Sequence, residues 1–173
     1  MRAWQYSLLL ASVVVAAGCS PSQSAFAQSQ SLTPAGLATV EDGVRAFTRT
    51  VAHDVTEEGP AAWRKHFADI PSFFMAVDGH LVFASGAAAM AAIPDLVRAY
   101  KRIELRWGED LRVDPLTADL AVVATSWHEV LIDAAGKRME ENGYFTGTAE
   151  YREGRWQFRN AHWSTATPPV ANP

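Results

Sequence analysis

The sequence of 173 residues has little cysteine, no excess of positive charge and no long hydrophobic run. Its single cysteine, Cys19, excludes an intramolecular disulfide and a cysteine-based metal site. Lysine and arginine number 15 against 19 aspartates and glutamates, for a net charge of −4, so nucleic acid is not an expected partner. With 49% hydrophobic and 20% charged residues, the composition is that of one globular domain.

Motifs that carry well-known chemistry are also missing. The chain has no glycine-rich phosphate loop, nucleophile elbow, dinucleotide fingerprint or His-Glu-x-x-His zinc motif. His53 with Asp54, and His66 with Asp69, are isolated pairs of the kind usually found on helix surfaces. Glu140 and Glu141 are adjacent on a predicted strand and therefore point to opposite faces. The sequence predicts no metal site and no cofactor.

The N-terminus has the features of an export signal. Arg2 precedes an apolar run, residues 8–17, that is too short for an ordinary membrane-spanning helix. The run ends at Ala16-Ala17-Gly18-Cys19, which resembles the bacterial lipobox. This resemblance implies cleavage before Cys19 and lipid attachment to its sulfur, and Ser20 after it suggests the periplasmic face of the outer membrane. The alternative is a plain signal cleaved near Ala25-Phe26-Ala27, which would leave a soluble periplasmic or secreted protein.

The chain divides into four parts on this basis. Residues 1–18 are the signal peptide, and 19–37 form an uncharged tether rich in serine, glutamine and proline. Residues 38–165 form the domain, and 166–173 are a short tail. A lipid on Cys19 would be the only membrane contact.

Helices are expected in the first half of the domain. Thr39 and Asp42 look like a capping pair, and four apolar side chains follow at helical spacing over residues 40–55: Val40, Val44, Phe47 and Val51. A short helix with Trp63 stacked near Phe67 follows Gly59-Pro60. A third helix is expected over 87–102, with a break or kink at Pro94.

Strands account for the rest. Residues 73–77 and 80–84 flank Asp78-Gly79, a pair typical of a type I′ hairpin turn. The side chains alternate from Ile103 to Trp107, and turn residues follow at Asp114-Pro115. Long strands are expected at 120–133, 138–152 and 155–165. This order of helices followed by a meander is an α+β layout.

The two last strands carry a family resemblance. Gly143-Tyr144-Phe145-Thr146, then Gly154-Arg155-Trp156-Gln157-Phe158 and His162-Trp163-Ser164, resemble the C-terminal signature of NTF2-like proteins, including SnoaL-like and DUF4440-type domains. The resemblance covers residues 38–165 and implies a cone in which N-terminal helices pack on a strongly curved mixed or antiparallel sheet. Because that fold supports many enzymes and many binding modules, it does not define a function.

Counting outward from a two-residue turn at Glu153-Gly154 places candidate site residues. That register pairs Gly147 with Asn160 and Phe145 with His162, with Phe158 and Ala149 on the same inward face. Asn160, Phe145 and Phe158 would then line a pocket beside the small Gly147, and His162 would be the acid or base. On the neighbouring strand either Trp127 with Glu129 or His128 with Ser126 faces the pocket, and the turn at Ala135-Gly136 leaves this open.

Three functions remain open from the sequence. The first is binding of a small hydrophobic or amphipathic molecule between the helices and the sheet. The second is a SnoaL-like enzyme of the isomerase, dehydratase or cyclase type, with His162 transferring a proton. The third is a non-catalytic module that forms a homodimer through the outer sheet face around Arg159 and Trp163. A homodimer is expected in any of the three, since related folds often pair.

Overall fold

A computed structural model describes residues 32–166, and the proposed signal peptide and lipid-bearing Cys19 lie outside this range. Three helices and seven strands follow in chain order: α1 (Pro34–Glu58), a 3₁₀ turn (Pro60–Ala62), α2 (Trp63–His66), β1 (Phe74–Val77), β2 (His80–Phe83), α3 (Gly86–Ala99), β3 (Tyr100–Trp107), β4 (Arg112–Thr117), β5 (Leu120–Asp133), β6 (Arg138–Arg152) and β7 (Arg155–Thr165). None of the helices in this range is both long and apolar enough to span a bilayer.

One mixed sheet holds all seven strands. Its order is β2-β1-β7-β6-β5-β3, and β4 pairs with β5 beside β3. The β1–β7 pair is parallel and the other pairs are antiparallel. β5 pairs with β4 through residues 120–124 and with β3 through residues 127–133. The α+β class and the curved mixed sheet are thus as expected from the sequence.

The first helix closes the concave side of the sheet. Its buried stripe holds the four predicted side chains, and Val55 extends it. Three hydrogen bonds attach the helix to β3: Trp107 Nε1 donates to the Thr48 carbonyl at 2.8 Å, the Leu105 N–H donates to Thr56 Oγ1 at 3.1 Å, and Thr56 Oγ1 donates to the Leu105 carbonyl at 3.4 Å. This face forms one core with the inner residues of β5, β6 and β7.

Helix α1 begins earlier than predicted. Thr33, and not Thr39, is the N-cap, because its hydroxyl accepts a hydrogen bond from the Gly36 N–H at 3.1 Å. Pro34 occupies the first turn, where a missing N–H costs nothing. Thr39 lies inside the helix and donates to the Ala35 carbonyl. The helix therefore begins six residues before the predicted range 40–55 and includes the end of the predicted tether, residues 19–37.

Two further expectations differ from the structure. Helix α3 continues through Pro94 without a break and ends at Ala99, where β3 begins. Residues 112–117, taken for a turn because of Asp114-Pro115, form strand β4. β4 pairs only with β5, and a register shift follows Pro115, so the edge position tolerates a residue that lacks an N–H.

The hairpins follow local sequence closely. Asp78 and Gly79 both have positive φ, as do Glu153 and Gly154, which confirms the type I′ prediction for the first turn. The predicted limits of β5, β6 and β7 match the observed strands. Trp63 and Phe67 stack at 4.9 Å between ring centroids, as their spacing indicated.

Candidate functional site

A cavity of about 490 Å³ lies between α3, the β1–β2 hairpin and the concave face of the sheet. Its walls are mostly apolar. Six aromatic side chains contribute: Trp63, Phe67, Phe83, Tyr100, Trp127 and Trp163. The polar residues of the wall include three carboxylates, Glu129 and Glu141 on the sheet and Asp95 on α3, together with Tyr100 and Thr165. An apolar hollow with a few polar groups is the usual form of a small-molecule site.

Strand β5 places Glu129 in the cavity. Its odd-numbered residues form the inner face, and Ala121, Val123, Thr125 and Trp127 on that face are all buried. Glu129 continues this face, and Leu131 follows it in the cavity wall. The alternative left open by the sequence is thereby decided in favour of Trp127 with Glu129.

The charge of Glu129 is poorly compensated. Its cross-strand partner on β3 is Leu105, and its partner on β6 is Glu141, a like charge. Burial raises the pKa of Glu129 to about 7, and the charge of Glu141 adds to this rise. At neutral pH Glu129 is therefore close to half protonated, so it can accept, donate or exchange a proton with a bound molecule.

Trp127 supplies a second free polar group. The residue is 5% exposed, and its indole Nε1 is buried without a hydrogen-bond partner in the described part of the chain. The N–H of Trp107, by contrast, is satisfied by Thr48. Because buried donors are nearly always paired, the Trp127 N–H is a group that a ligand acceptor can satisfy.

The predicted register of β7 was wrong beyond Phe158. Ala149 pairs with Phe158 as expected, but the ladder then shifts, so that Thr148 pairs with Asn160 and Phe145 with Trp163. This β-bulge adds one residue to β7, and one added residue moves every later side chain to the other face.

The shift moves Asn160 and His162 out of the site. His162 is exposed, and its Nδ1 lies 3.5 Å from the hydroxyl of Thr146 on the outer face. Asn160 bonds to Thr148 there. In exchange, Trp163 turns inward and is 8% exposed, so it lines the cavity and cannot form the outer dimer surface that was expected around it.

The hollow expected beside Gly147 is filled. A side-chain carbon on Gly147 would come within 2.7 Å of both the Phe145 ring and the Asn160 carbonyl oxygen. Phe145 and Phe158 are fully buried, with ring centroids 5.0 Å apart. These two phenylalanines belong to the core beneath the cavity and do not line it.

The histidine–aspartate pairs noted in the sequence do not form a second candidate site within the described residues. The ring of the buried His66 faces Asp54, not Asp69, with Nε2 and Oδ2 3.2 Å apart but outside hydrogen-bond geometry. Burial lowers the pKa of His66, and Asp54 opposes that shift. Within residues 32–166, no three His, Cys, Asp or Glu side chains are grouped to hold a metal ion.

A second hollow of about 480 Å³ lies at the other side of Trp127. It is lined by the opposite parity of β5, Ser126 and His128, together with Arg106 and Asn142. The carboxylate of Asp110 accepts hydrogen bonds from the Ser126 N–H and hydroxyl, at 2.9 and 2.8 Å. Hydrogen bonds from Ser126 lower the pKa of Asp110. The wall of this hollow is less apolar than that of the first cavity, and the side chain of His128 is 44% exposed, so the hollow is less enclosed.

Three of the residues that line the cavity were assigned elsewhere or set aside in the sequence analysis. Tyr100 was assigned to a helix and Trp163 to the outer face. Glu141 was set aside because it cannot share a face with Glu140, but its actual partner is Glu129 across the hairpin. The Glu129–Glu141 pair follows from the register of β5 against β6. The sequence does not define that register, because a slip of one residue at the Ala135-Gly136 turn is equally compatible with it.

Comparisons with known proteins place the fold. No protein-family model matches the chain, and no curated protein is significantly similar to it in sequence. Among solved structures, an NTF2-like superfamily protein from Salmonella enterica serovar Typhimurium superposes with a TM-score of 0.64 at 12% identity, covering 79% of this chain and 98% of that one.

Two other neighbours are described as enzymes. One is a putative scytalone dehydratase from Novosphingobium aromaticivorans, with a TM-score of 0.64 at 10% identity over 75% of this chain and 86% of that one. The other is a hexachlorocyclohexane dehydrochlorinase from Novosphingobium barchaimii, with a TM-score of 0.59 at 12% identity over 78% and 93%. The chain therefore has the NTF2-like fold. Sequence identities this low support a shared fold but not a shared activity.

Proposed function

We propose that this domain binds a small, largely hydrophobic molecule in the cavity between α3, the β1–β2 hairpin and the concave sheet. The observation that carries the proposal is the cavity itself, with a volume of about 490 Å³ and walls that are mainly aromatic and aliphatic. Burial of apolar ligand surface there supplies the affinity, and Glu129 with Trp127 supplies orientation. Binding of this kind requires no catalytic residue.

The test is a pair of substitutions on one helix. Ala92 lines the cavity, whereas its neighbour Ala91 is exposed. Ala92→Phe should fill the cavity and abolish binding of a neutral probe, 4-phenylbutan-1-ol, measured by isothermal titration and by quenching of tryptophan fluorescence. Ala91→Phe, the matched control, should bind the probe as the parent does. Equal binding by both variants would place the probe elsewhere and refute the proposal.

Proton transfer by Glu129 is the second candidate. A pKa of about 7 in an apolar cavity suits a general acid or base at neutral pH. The role assigned to His162 from the sequence passes to Glu129, since His162 is on the outer face. Two solved neighbours are described as a dehydratase and a dehydrochlorinase, so dehydration and dehydrochlorination are suitable reactions to assay with this protein.

A proton-exchange measurement separates this candidate from simple binding. The α-protons of 4-phenylbutan-2-one exchange with D₂O when a base removes them, and NMR follows their loss. An enzyme should accelerate this exchange over buffer, and Glu129→Gln should return the rate to that of buffer while the probe still binds. Exchange that is no faster with the parent protein than without it leaves binding as the function.

The location of the domain is a separate proposal. The lipobox-like Ala16-Ala17-Gly18-Cys19 supports export and lipid anchoring at the outer membrane. The uncharged residues between Cys19 and Thr33 would tether the domain to the membrane.

A further inference from the structure

We propose that the cavity selects hydrophobic organic amines, in their ammonium form, over neutral and anionic molecules of the same size. This inference rests on the proposed binding function, because it names the ligand class of the same cavity. It depends on the charges in the cavity wall, on the aromatic surfaces around them, and on the absence of a lysine, arginine or histidine from the cavity lining within residues 32–166.

The charges that line the cavity have one sign. Asp95, Glu129 and Glu141 contribute, and none of the lining residues within the described chain is a lysine, arginine or histidine. Asp95 is at the exposed rim and pairs with Arg98, which does not line the cavity. Glu129 and Glu141 are left for a ligand.

These two glutamates form an unfavourable pair. They are direct cross-strand partners in the β5–β6 ladder, an arrangement that destabilises a sheet when both are charged. The groups that act on Glu129 include Glu141 but no cation, and its opposite neighbour on β3, Leu105, is apolar. A ligand ammonium near both carboxylates would replace this repulsion by two attractions.

The surrounding rings suit a cation as well. Trp127 and Trp163 meet edge to face, with ring centroids 5.3 Å apart, and Trp63 meets Trp163 in the same way at 5.9 Å. Tyr100 contributes a further ring to the wall. The faces of such rings attract ammonium groups, most strongly where water is excluded.

The same wall disfavours other ligands. A carboxylate would meet two like charges, and a neutral molecule would leave the glutamates uncompensated. The apolar remainder of the cavity requires a hydrophobic body on the amine, so ammonia or a simple hydrophilic amine would bind too weakly to matter.

Three probes of one shape test the inference: 4-phenylbutan-1-amine, 4-phenylbutan-1-ol and 4-phenylbutanoate. Isothermal titration at pH 8 should give an affinity for the amine roughly tenfold or more above that for the alcohol, as expected for one charge-assisted contact. The carboxylate should bind most weakly. Glu129→Gln should remove most of the preference for the amine, measured as the ratio of the amine affinity to the alcohol affinity.

Glu140→Gln is the matched control. Glu140 is adjacent to Glu141 but pairs with Arg138 and does not line the cavity. It should leave all three affinities unchanged. Glu141→Gln provides a second variant in the site, and it should lower the affinity for the amine but not the affinity for the alcohol.

Acidity gives an independent readout. The titratable groups that line the cavity together with Glu129 are Glu141 from β6, Asp95 from α3 and Tyr100 at the start of β3. Because the pKa of Glu129 is about 7 and the amine stays charged, the affinity for the amine should fall roughly tenfold from pH 8 to pH 6. Glu129→Gln should remove this dependence.

The outcomes separate the two proposals. If the alcohol binds as tightly as the amine, the amine inference is overturned and the hydrophobic cavity function stands. If the carboxylate binds best, the inference is overturned in the same way. If none of the three probes binds the parent protein, the proposed function fails together with it.

Discussion

Asn160 is joined to Thr148 by two hydrogen bonds across the β6–β7 ladder. Its side-chain nitrogen Nδ2 donates to Thr148 Oγ1, and its side-chain oxygen Oδ1 accepts from the Thr148 N–H, both at 3.1 Å. The pair lies next to the bulge between Thr148 and Ala149, where the β7 register shifts. Asn160 therefore stabilises the shift that turns Trp163 into the cavity and His162 away from it.

Asn160→Ala should destabilise the domain. Two hydrogen bonds are lost on the outer face, so we expect a loss of about 1–2 kcal/mol in the free energy of unfolding, measured by urea denaturation. His162→Ala, at an exposed position, should change it by less than about 0.5 kcal/mol. If His162→Ala instead abolished binding of 4-phenylbutan-1-ol, the outward assignment of this strand end would be wrong.

Glu129→Gln should change how stability depends on pH. The pKa of Glu129 rises from 4.5 to about 7 on folding, so the folded protein binds a proton more tightly than the unfolded chain between these values. The contribution of Glu129 to stability is therefore present below pH 4.5 and is lost as pH rises through 7. A shift of this size corresponds to about 3 kcal/mol between pH 4.5 and pH 8.

The measurement is the difference in unfolding free energy between parent and Glu129→Gln at several pH values. The variant should be the more stable form at pH 8 and lose that advantage near pH 5. His66, whose pKa burial lowers, weakens both proteins below pH 6.5, and the subtraction removes its effect. A difference that stays constant over this range would mean that Glu129 titrates normally.

Gly86→Ala should disturb the helix that forms one cavity wall. A side-chain carbon at Gly86 would come within 2.5 Å of the Ala68 carbonyl oxygen and the Ile70 N–H nitrogen, both backbone atoms that cannot rotate away. We expect a loss of about 2 kcal/mol or more, with weaker probe binding because α3 must shift.

Gly36→Ala is the control for that substitution. In helix α1, the added carbon would meet nothing closer than the Thr33 hydroxyl at 3.4 Å. Alanine favours a helix over glycine by roughly 0.5–1 kcal/mol, so this variant should be neutral or stabilised. Thermal unfolding of both variants checks the contrast, and a tolerated Gly86→Ala would show that the contact beneath α3 is looser than described.

Cys19→Ala should release the domain from membranes. If Cys19 carries the lipid, the parent protein expressed in a Gram-negative host sediments with the membranes and its mature N-terminus shows the mass of an acylated cysteine. The variant should lose both properties. A parent protein recovered in the soluble periplasm, with an N-terminus near residue 28, would favour the plain signal peptide.

Local sequence was sufficient for most of the elements. The alternation and turn residues from Leu120 to Thr165 gave three strands with their observed limits, because period-two patterns and the turns at Ala135-Gly136 and Glu153-Gly154 act over a few residues. The apolar stripe of α1 was equally clear. The start of α1 was missed because Thr33 and Thr39 both have side chains that can cap a helix. In the structure Thr33 caps the first turn, whereas Thr39 lies within the helix and donates to the Ala35 carbonyl.

By itself, the sequence determined an α+β order of elements, the long hairpins and the acidic, cysteine-poor character of the chain. Only the tertiary structure decided which residues share the cavity. A single extra residue in β7 reverses the faces of Asn160 and His162, and the pairing of β5 with β6 sets Glu129 opposite Glu141. Both outcomes depend on how two strands fit each other and the helices above them, and in a ladder of period two a slip of one residue exchanges inside for outside.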